Sequence, residues 1–170
     1  MSLPLTQVVN RHSGAKLNDT KINNFLTPER VEVHWQMSSK KRLLESIASL
    51  LTKGNAGLDK KTIFQILTER ERLGSTGIGK GVALPHGRVN SLDQVIGAFA
   101  VLDSPLDYDA VDKQPVNLVF ALLVPAEANE EHLRILAHLA KLFNETDLRK
   151  KLKTTRSAAE AYRILTDWQF

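Results

Sequence analysis

The 170-residue sequence contains no cysteine, which excludes disulfides, thiolate nucleophiles and thiolate metal sites. It also contains no apolar run of the roughly 20 residues that a membrane helix needs, and its N-terminus lacks the apolar core of a signal peptide. We therefore expect a cytoplasmic protein without membrane insertion.

Aromatic residues are scarce at 6% of the chain, and they are not interleaved with clustered basic residues. The 23 lysines and arginines are spread among 19 acidic residues, which leaves a net charge of +4. A nucleic-acid-binding surface usually needs a basic patch, so we expect no nucleic-acid partner. A hydrophobic content of 42% in a chain of this length suits the core of one compact α/β domain.

The chain divides into two parts by composition. Residues 1–20 are polar and aperiodic and contain Pro4 and Gly14, which predicts a flexible N-terminal extension. Residues 21–170 carry the periodic apolar segments, and we expect them to form the folded domain.

Three segments have the pattern of strands. "VEVHWQ" (31–36) alternates, which predicts a half-buried strand with Val31, Val33 and Trp35 on one face. "VIGAFAVL" (95–102) and "VNLVFALLV" (116–124) are continuously apolar, which is typical of central strands covered on both faces. The pattern therefore predicts an α/β fold with helices on both sides of a sheet.

Helical spacing of apolar residues and capping side chains predict where the helices lie. The predicted helices begin after Ser38 or Ser39, at Asp59 (ending near Leu73), at Asn129, near Thr146 (ending near Lys153) and after Ser157. No internal repeat interrupts this order.

The glycine-rich segment "GSTGIGKGVALPHGR" (74–88) approaches a phosphate-binding loop without matching it. Gly81 stands where such a loop needs a serine or threonine hydroxyl for magnesium, and Val82 stands where a dinucleotide fingerprint needs its third glycine. The predicted helix before the glycines and the strand after them also reverse the order that a nucleotide loop requires. We therefore expect no nucleotide cofactor here.

The five histidines do not form a metal-binding pattern, because no HExxH or comparable pair lies on one helix. His132 and His138 lie six residues apart on the same predicted helix and so face in different directions. We expect no metal site.

His86 is the best candidate for chemistry in the glycine-rich segment. Pro85 removes a strand hydrogen-bond donor, so the strand "VALP" is predicted to end just before His86, and Gly87 adds no side chain beside the ring. A neutral imidazole is nucleophilic and can accept a phosphoryl group, with Lys80 and Arg88 near in sequence to balance its charge. The residues alone leave open whether His86 is such an acceptor or a structural histidine in a turn.

Three longer segments follow one another along the chain: "ILTERERLGSTGIGKGVALPHGRV", "LDYDAVDKQPVNLVFALLVP" and "EEHLRILAHLAKLF". In sequence and in order they resemble the IIA proteins of the bacterial phosphoenolpyruvate-dependent phosphotransferase system, and the resemblance spans roughly residues 21 to 167. It is to the mannitol/fructose group, and within that group to the nitrogen-regulatory branch. It implies a single mixed central sheet flanked by helices on both faces.

The resemblance also implies functional residues. His86 matches the histidine that a histidine phosphocarrier protein phosphorylates, and Arg70 and His132 match positions that support the phosphoryl group. Taken without the resemblance, Arg70 in "TERER" is more simply a solvated charge. His132 is equally well an ordinary polar residue in the first turn of a helix, where the helix dipole would depress its protonation.

The implied activity is that of a phosphotransferase component whose phosphorylation alters its choice of regulatory target proteins. The alternative within the same group is a sugar-specific fructose or mannitol IIA component that passes the phosphoryl group to a transporter domain. Both alternatives use His86 and require no cofactor.

Overall fold

The computed structural model describes residues 20–127 and 129–169. Its strands are β1 (Val31–Trp35), β2 (Gly77–Gly79), β3 (Val82–Ala83), β4 (His86–Val89), β5 (Ile96–Leu106) and β6 (Val116–Pro125). Its α-helices are α1 (Lys40–Leu51), α2 (Lys60–Arg72), α3 (Asn129–Phe143), α4 (Thr146–Lys153) and α5 (Ala158–Asp167). The extension predicted over residues 1–20 lies, apart from Thr20, outside the described residues.

The strands form one mixed sheet in the order β1-β5-β6-β3-β2, and β4 also pairs with β6. Alternate residues of the two central strands face different helical layers. Phe99 and Phe120 belong to the core under α3, α4 and α5, whereas Ala98 and Ala121 belong to the core under α1 and α2. The predicted α/β fold, with a mixed sheet between two helical layers, is confirmed.

The helices begin where their capping side chains predict. The side chains of Ser39, Asp59 and Ser157 each accept a hydrogen bond from the backbone N–H three residues later, at 3.1, 3.2 and 3.1 Å. Each cap satisfies a donor that the first turn of a helix leaves free.

The prediction for β1 was wrong in one respect, which is the face that Trp35 occupies. His34 has a φ of 57°, and the pairing with β5 shifts register between Glu32 and Trp35. An extra residue in one strand reverses the alternation beyond it. Val33 therefore packs under α3–α5, while Trp35 packs under α1 and α2.

The glycine cluster forms a hairpin. β2 and β3 are antiparallel, and the two residues between them, Lys80 and Gly81, have φ values of 58° and 79°. Positive φ at both central residues is the requirement of a type I′ turn, for which glycine is favoured. The glycines therefore serve backbone geometry.

The strand predicted from "VALP" is shorter than expected, and His86 lies at the start of a strand instead of just after one. β3 ends at Ala83, Leu84 and Pro85 interrupt the pairing, and β4 begins at His86. Both short strands run parallel to β6, with Ala83 opposite Val119 and His86 opposite Leu122. The proline removes a backbone donor at the interruption, and pairing with β6 then resumes.

Candidate functional site

The backbone of β4 directs His86 and Gly87 to opposite faces of the sheet. A Cβ atom at Gly87 would lie 2.3 Å from Cγ2 of Ile66 on α2, so only glycine permits this close approach. The His86 ring lies on the other face, beside α3. Gly87 was expected to leave space beside the ring, but its structural role is to let the strand pack against α2.

A single hydrogen bond fixes the protonation of the His86 ring. Nδ1 of His86 lies 2.8 Å from the carbonyl oxygen of Leu84. A carbonyl oxygen can only accept, so Nδ1 carries the proton and donates it. In the neutral ring the free lone pair is then on Nε2.

His132 on α3 is the closest aromatic neighbour of His86. The centres of the two rings are 5.1 Å apart, with an angle of 74° between the ring planes. His132 is only 7% exposed, and neither of its ring nitrogens has a hydrogen-bond partner among the described residues. Buried polar atoms are normally paired, so an unpaired ring in the first turns of a helix suits contact with an anionic ligand.

Positive charge surrounds both rings. The pKa of His132 is lowered to about 4, mainly by burial and then by the charges of His86, Arg88 and Arg70, in that order. The pKa of His86 is also lowered, and burial is the main cause. The hydrogen bond to the Leu84 carbonyl raises this pKa, the charge of Arg70 lowers it, and the charge of Glu71 raises it. Both rings are therefore neutral near pH 7 and lie in a field that favours anions.

The cations near the site come from two different elements. Arg70 lies in the last turn of α2, where its Nη1 donates to the carbonyl oxygen of Gly74 at 2.9 Å. This bond ties the side chain to the end of α2, and the other guanidinium nitrogens have no hydrogen-bond partner among the described residues. Arg88 is exposed on β4 and shares a face with His86, because it lies two residues further along the strand.

Lys80, which was expected to lie near His86, is directed elsewhere. Its Nζ donates to Oδ1 of Asn144, which follows the C-terminal end of α3. Twelve residues separate His132 from Asn144, a distance of about 18 Å along a helix. Lys80 therefore does not contribute to the site.

A polar cluster that the sequence did not reveal lies behind the site, at the end of α2. The carboxylate of Glu71 accepts hydrogen bonds from the Thr76 backbone N–H at 3.1 Å, from the Thr76 hydroxyl and from the Tyr108 hydroxyl at 2.9 Å. Nζ of Lys40 lies 2.8 Å from its other oxygen and 4.4 Å from the centre of the Tyr108 ring. We call these four residues the Glu71 cluster. No local pattern could have revealed it, since Lys40 and Tyr108 lie more than 30 residues from Glu71.

Two further features of the described residues bear on function. Within residues 20–127 and 129–169, no three histidine, aspartate or glutamate side chains converge as metal ligands. None of the helices in that part of the chain combines the length and apolar character that a membrane crossing requires.

Comparison with known proteins gives a match over most of the chain. Residues 24–168 match the family described as phosphoenolpyruvate-dependent sugar phosphotransferase system, EIIA 2. A nitrogen regulatory protein of Pseudomonas aeruginosa is 43% identical over 149 residues, which cover 88% of this chain and 97% of that protein. A more distant relative is the fructose-specific EIIA component of Haloferax volcanii, at 29% identity over 87% of this chain and 96% of its own length.

A solved structure gives the same result for the fold. The crystal structure of the nitrogen regulatory protein IIA-Ntr from Neisseria meningitidis superposes with a TM-score of 0.81 at 42% identity. The superposition covers 85% of this chain and 99% of that one. The sheet and its two helical layers are therefore those of this relative.

Proposed function

The chain belongs to the EIIA 2 family of the phosphoenolpyruvate-dependent sugar phosphotransferase system, and from that premise we propose that Nε2 of His86 accepts a phosphoryl group from a histidine phosphocarrier protein. The observation that carries the proposal is the hydrogen bond between Nδ1 of His86 and the Leu84 carbonyl, which leaves Nε2 unprotonated. Members of this family are phosphotransfer components of the system. What we propose for this chain is the acceptor atom and the donor protein.

The proposed reaction moves one phosphoryl group between two nitrogen atoms. The lone pair of Nε2 attacks the phosphorus, a new P–N bond forms, and the donor's P–N bond breaks with its electron pair returning to the donor ring. No proton transfer is needed, because Nδ1 keeps its proton on the Leu84 carbonyl. The positive charge that develops on the His86 ring is balanced by the incoming phosphoryl oxygens.

Arg70 and His132 are proposed to support the phosphoryl group. Arg70 lowers the pKa of both histidines, which places its positive charge within electrostatic reach of both rings. A guanidinium is suited to phosphate oxygens, and a neutral imidazole N–H can donate to one of them. The unpaired ring nitrogens of His132 would gain a partner when His86 is phosphorylated.

We infer that the modified protein acts as a regulator whose partner choice depends on phosphorylation. Two exposed apolar side chains are next in the chain to residues near the site: Leu73, 85% exposed, precedes Gly74, and Leu133, 67% exposed, follows His132. A charge change beside exposed apolar side chains alters which protein surface can dock there. The higher identity to a nitrogen regulatory protein than to a fructose-specific component favours this role over the sugar-specific alternative.

The acceptor is tested with phosphoenolpyruvate, enzyme I and the histidine phosphocarrier protein. We expect a mass gain of about 80 Da that acid removes, as for a phosphohistidine. His86→Ala should abolish the gain, and His34→Ala, which changes an exposed histidine at the other edge of the sheet, should not. A gain that persists in His86→Ala would overturn the proposal.

Two further measurements test the acceptor atom and the choice between the regulatory and the sugar-specific role. Nuclear magnetic resonance of ¹⁵N-labelled phosphorylated protein should place the phosphorus on Nε2 of His86; a bond to Nδ1 would contradict the role of the Leu84 carbonyl. Incubation with the cytoplasmic domain of a fructose or mannitol transporter should yield no sugar phosphate. Efficient sugar phosphorylation would instead establish the sugar-specific alternative.

A further inference from the structure

The Glu71 cluster is connected to the phosphoryl acceptor by an unbroken series of hydrogen bonds. The Thr76 backbone N–H donates to the Glu71 carboxylate at 3.1 Å, and the Thr76 carbonyl accepts from the Leu84 N–H at 2.9 Å. The Leu84 carbonyl in turn accepts from Nδ1 of His86 at 2.8 Å. Glu71 therefore stands three hydrogen bonds from the His86 ring.

The carboxylate at the head of this series is held rigidly. The Glu71 side chain is 6% exposed, and both oxygens are occupied by Lys40, Thr76 and Tyr108. Tyr108 is fully buried, and its hydroxyl also lies 3.0 Å from the Thr76 hydroxyl. A buried polar network with every member paired fixes the positions of its members.

The far end of the series lies at the break in the sheet. Leu84 and Pro85 are the residues at which β3 ends and β4 has not begun, so regular pairing with β6 does not fix the Leu84 carbonyl. The hydrogen bond from the Leu84 N–H to Thr76 replaces that pairing. The segment therefore has two anchors: Thr76, which Glu71 holds, on the Leu84 N–H, and the Leu122 N–H of β6, which donates to the Pro85 carbonyl at 3.0 Å.

We propose that Glu71 is a positioning residue that, through Thr76 and Leu84, fixes the ring orientation and the Nδ1–H tautomer of His86. The expected effect of Glu71 on phosphoryl transfer rests on the proposed function, in which Nε2 attacks the phosphorus. The expected effect of Glu71 on the tautomer is independent of that function, since it concerns the ring before any transfer. Glu71 also directly follows Arg70 in the last turn of α2.

Charged and titratable groups reach the His86 ring from every element beside it. Arg70 and Glu71 belong to α2, His132 to α3, and Arg88 to β4 itself. Arg70 lowers the pKa of His86 and Glu71 raises it. Removing the Glu71 charge therefore leaves the ring among cations and one neutral histidine.

The test compares Glu71→Gln with Glu69→Gln, which removes the same charge from the same turn of α2 at an exposed position outside the cluster. In ¹⁵N spectra of the unphosphorylated protein, the wild type should show the Nδ1–H tautomer. Glu71→Gln should show a mixture of tautomers and a lower His86 pKa, whereas Glu69→Gln should match the wild type. In the transfer assay, Glu71→Gln should lose about 10-fold in kcat/KM, the effect typical of removing an outer hydrogen-bond partner of a histidine.

An unchanged tautomer and an unchanged His86 pKa in folded Glu71→Gln would overturn the proposal. If Glu71→Gln does not fold, Tyr108→Phe removes one hydrogen-bond donor from the cluster and keeps the Glu71 charge. This variant should broaden the ¹⁵N signals of the His86 ring and lower kcat/KM by less than Glu71→Gln is expected to. Signals identical to those of the wild type would overturn the proposal. If the protein accepts no phosphoryl group at all, the proposed function fails while the tautomer measurement still decides the role of Glu71.

Discussion

The two polar clusters on either side of β4 are built in opposite ways. In the Glu71 cluster both carboxylate oxygens are paired with Lys40, Thr76 or Tyr108. In the histidine pair, neither ring nitrogen of His132 has a hydrogen-bond partner among the described residues. Nε2 of the neutral His86 ring carries no proton, because the proton is on Nδ1. Both clusters are largely buried, so burial alone does not explain the difference.

The difference concerns the cost of burying polar groups in the two clusters. Saturated hydrogen bonding contributes to stability, and an unpaired buried group costs about 1–3 kcal/mol until something pairs with it. Under the proposed function, this cost at the histidine pair is offset when the phosphoryl group binds. Mutation should therefore lower the free energy of unfolding in the Glu71 cluster and leave it unchanged or raise it in the histidine pair.

The largest expected effect is on stability, in the Glu71 cluster. Glu71→Ala leaves the Lys40 ammonium, the Tyr108 hydroxyl and the Thr76 donors without their acceptor. We expect the free energy of unfolding, measured by urea denaturation, to fall by about 3 kcal/mol. His132→Leu removes unpaired atoms from the other cluster and should leave the free energy of unfolding unchanged or raise it. Equal losses in both variants would erase the distinction between the clusters.

The next effect is on phosphoryl transfer, at Arg70 in the last turn of α2. Arg70→Ala should lower kcat/KM by about 100-fold, and Arg70→Lys should recover part of the loss, because a lysine keeps the charge but not the guanidinium fork. Arg72→Ala removes an exposed arginine from the same last turn and reports the general effect of charge on docking. If Arg70→Ala and Arg72→Ala lose the same amount, Arg70 has no specific part in the transfer.

The contrast between the clusters also explains what the sequence could predict. Helix starts such as Ser39, Asp59 and Ser157 depend on contacts three residues away, and local patterns identified them. Pro85 and Gly87 marked His86 locally as a candidate, although only the resemblance favoured the acceptor role over a structural one. These features require no knowledge of distant residues.

What the sequence could not predict depends on long-range packing. Arg70 and His132 lie on different helices, and only the resemblance to a family linked them to His86. The Glu71 cluster joins residues from α1, α2 and the loop after β5, so no spacing rule would have found it. The face of Trp35 was mispredicted because a bulge at His34 leaves no mark in an alternating pattern.

A smaller effect is expected at Gly87, where β4 packs closely against α2. Gly87→Ala places a methyl group against Ile66, a β-branched side chain with little freedom to move. Overpacking of this size costs about 1–2 kcal/mol in the free energy of unfolding, and it should push β4 away from α2. Gly57→Ala, at an open position, is the control. A fully stable Gly87→Ala would show that the close approach to α2 is not required.

The smallest effect is the dependence of stability on pH, and it distinguishes the histidine pair from the saturated cluster. Burial holds the pKa of His132 at about 4, below its ordinary value of 6.5, so the unfolded chain binds a proton between these values and the folded chain does not. Stability from this group is present above pH 6.5 and is lost as pH falls. Between pH 7 and 5.5 the loss should be about 1 kcal/mol. His132→Leu should flatten this slope, and Leu133→Gln, at the exposed neighbouring position, should keep it. Phosphorylation of His86 would add negative charge beside His132, so the free energy of unfolding of the phosphorylated protein should also change less with pH. An unchanged pH dependence would mean that His132 does not contact the phosphoryl group.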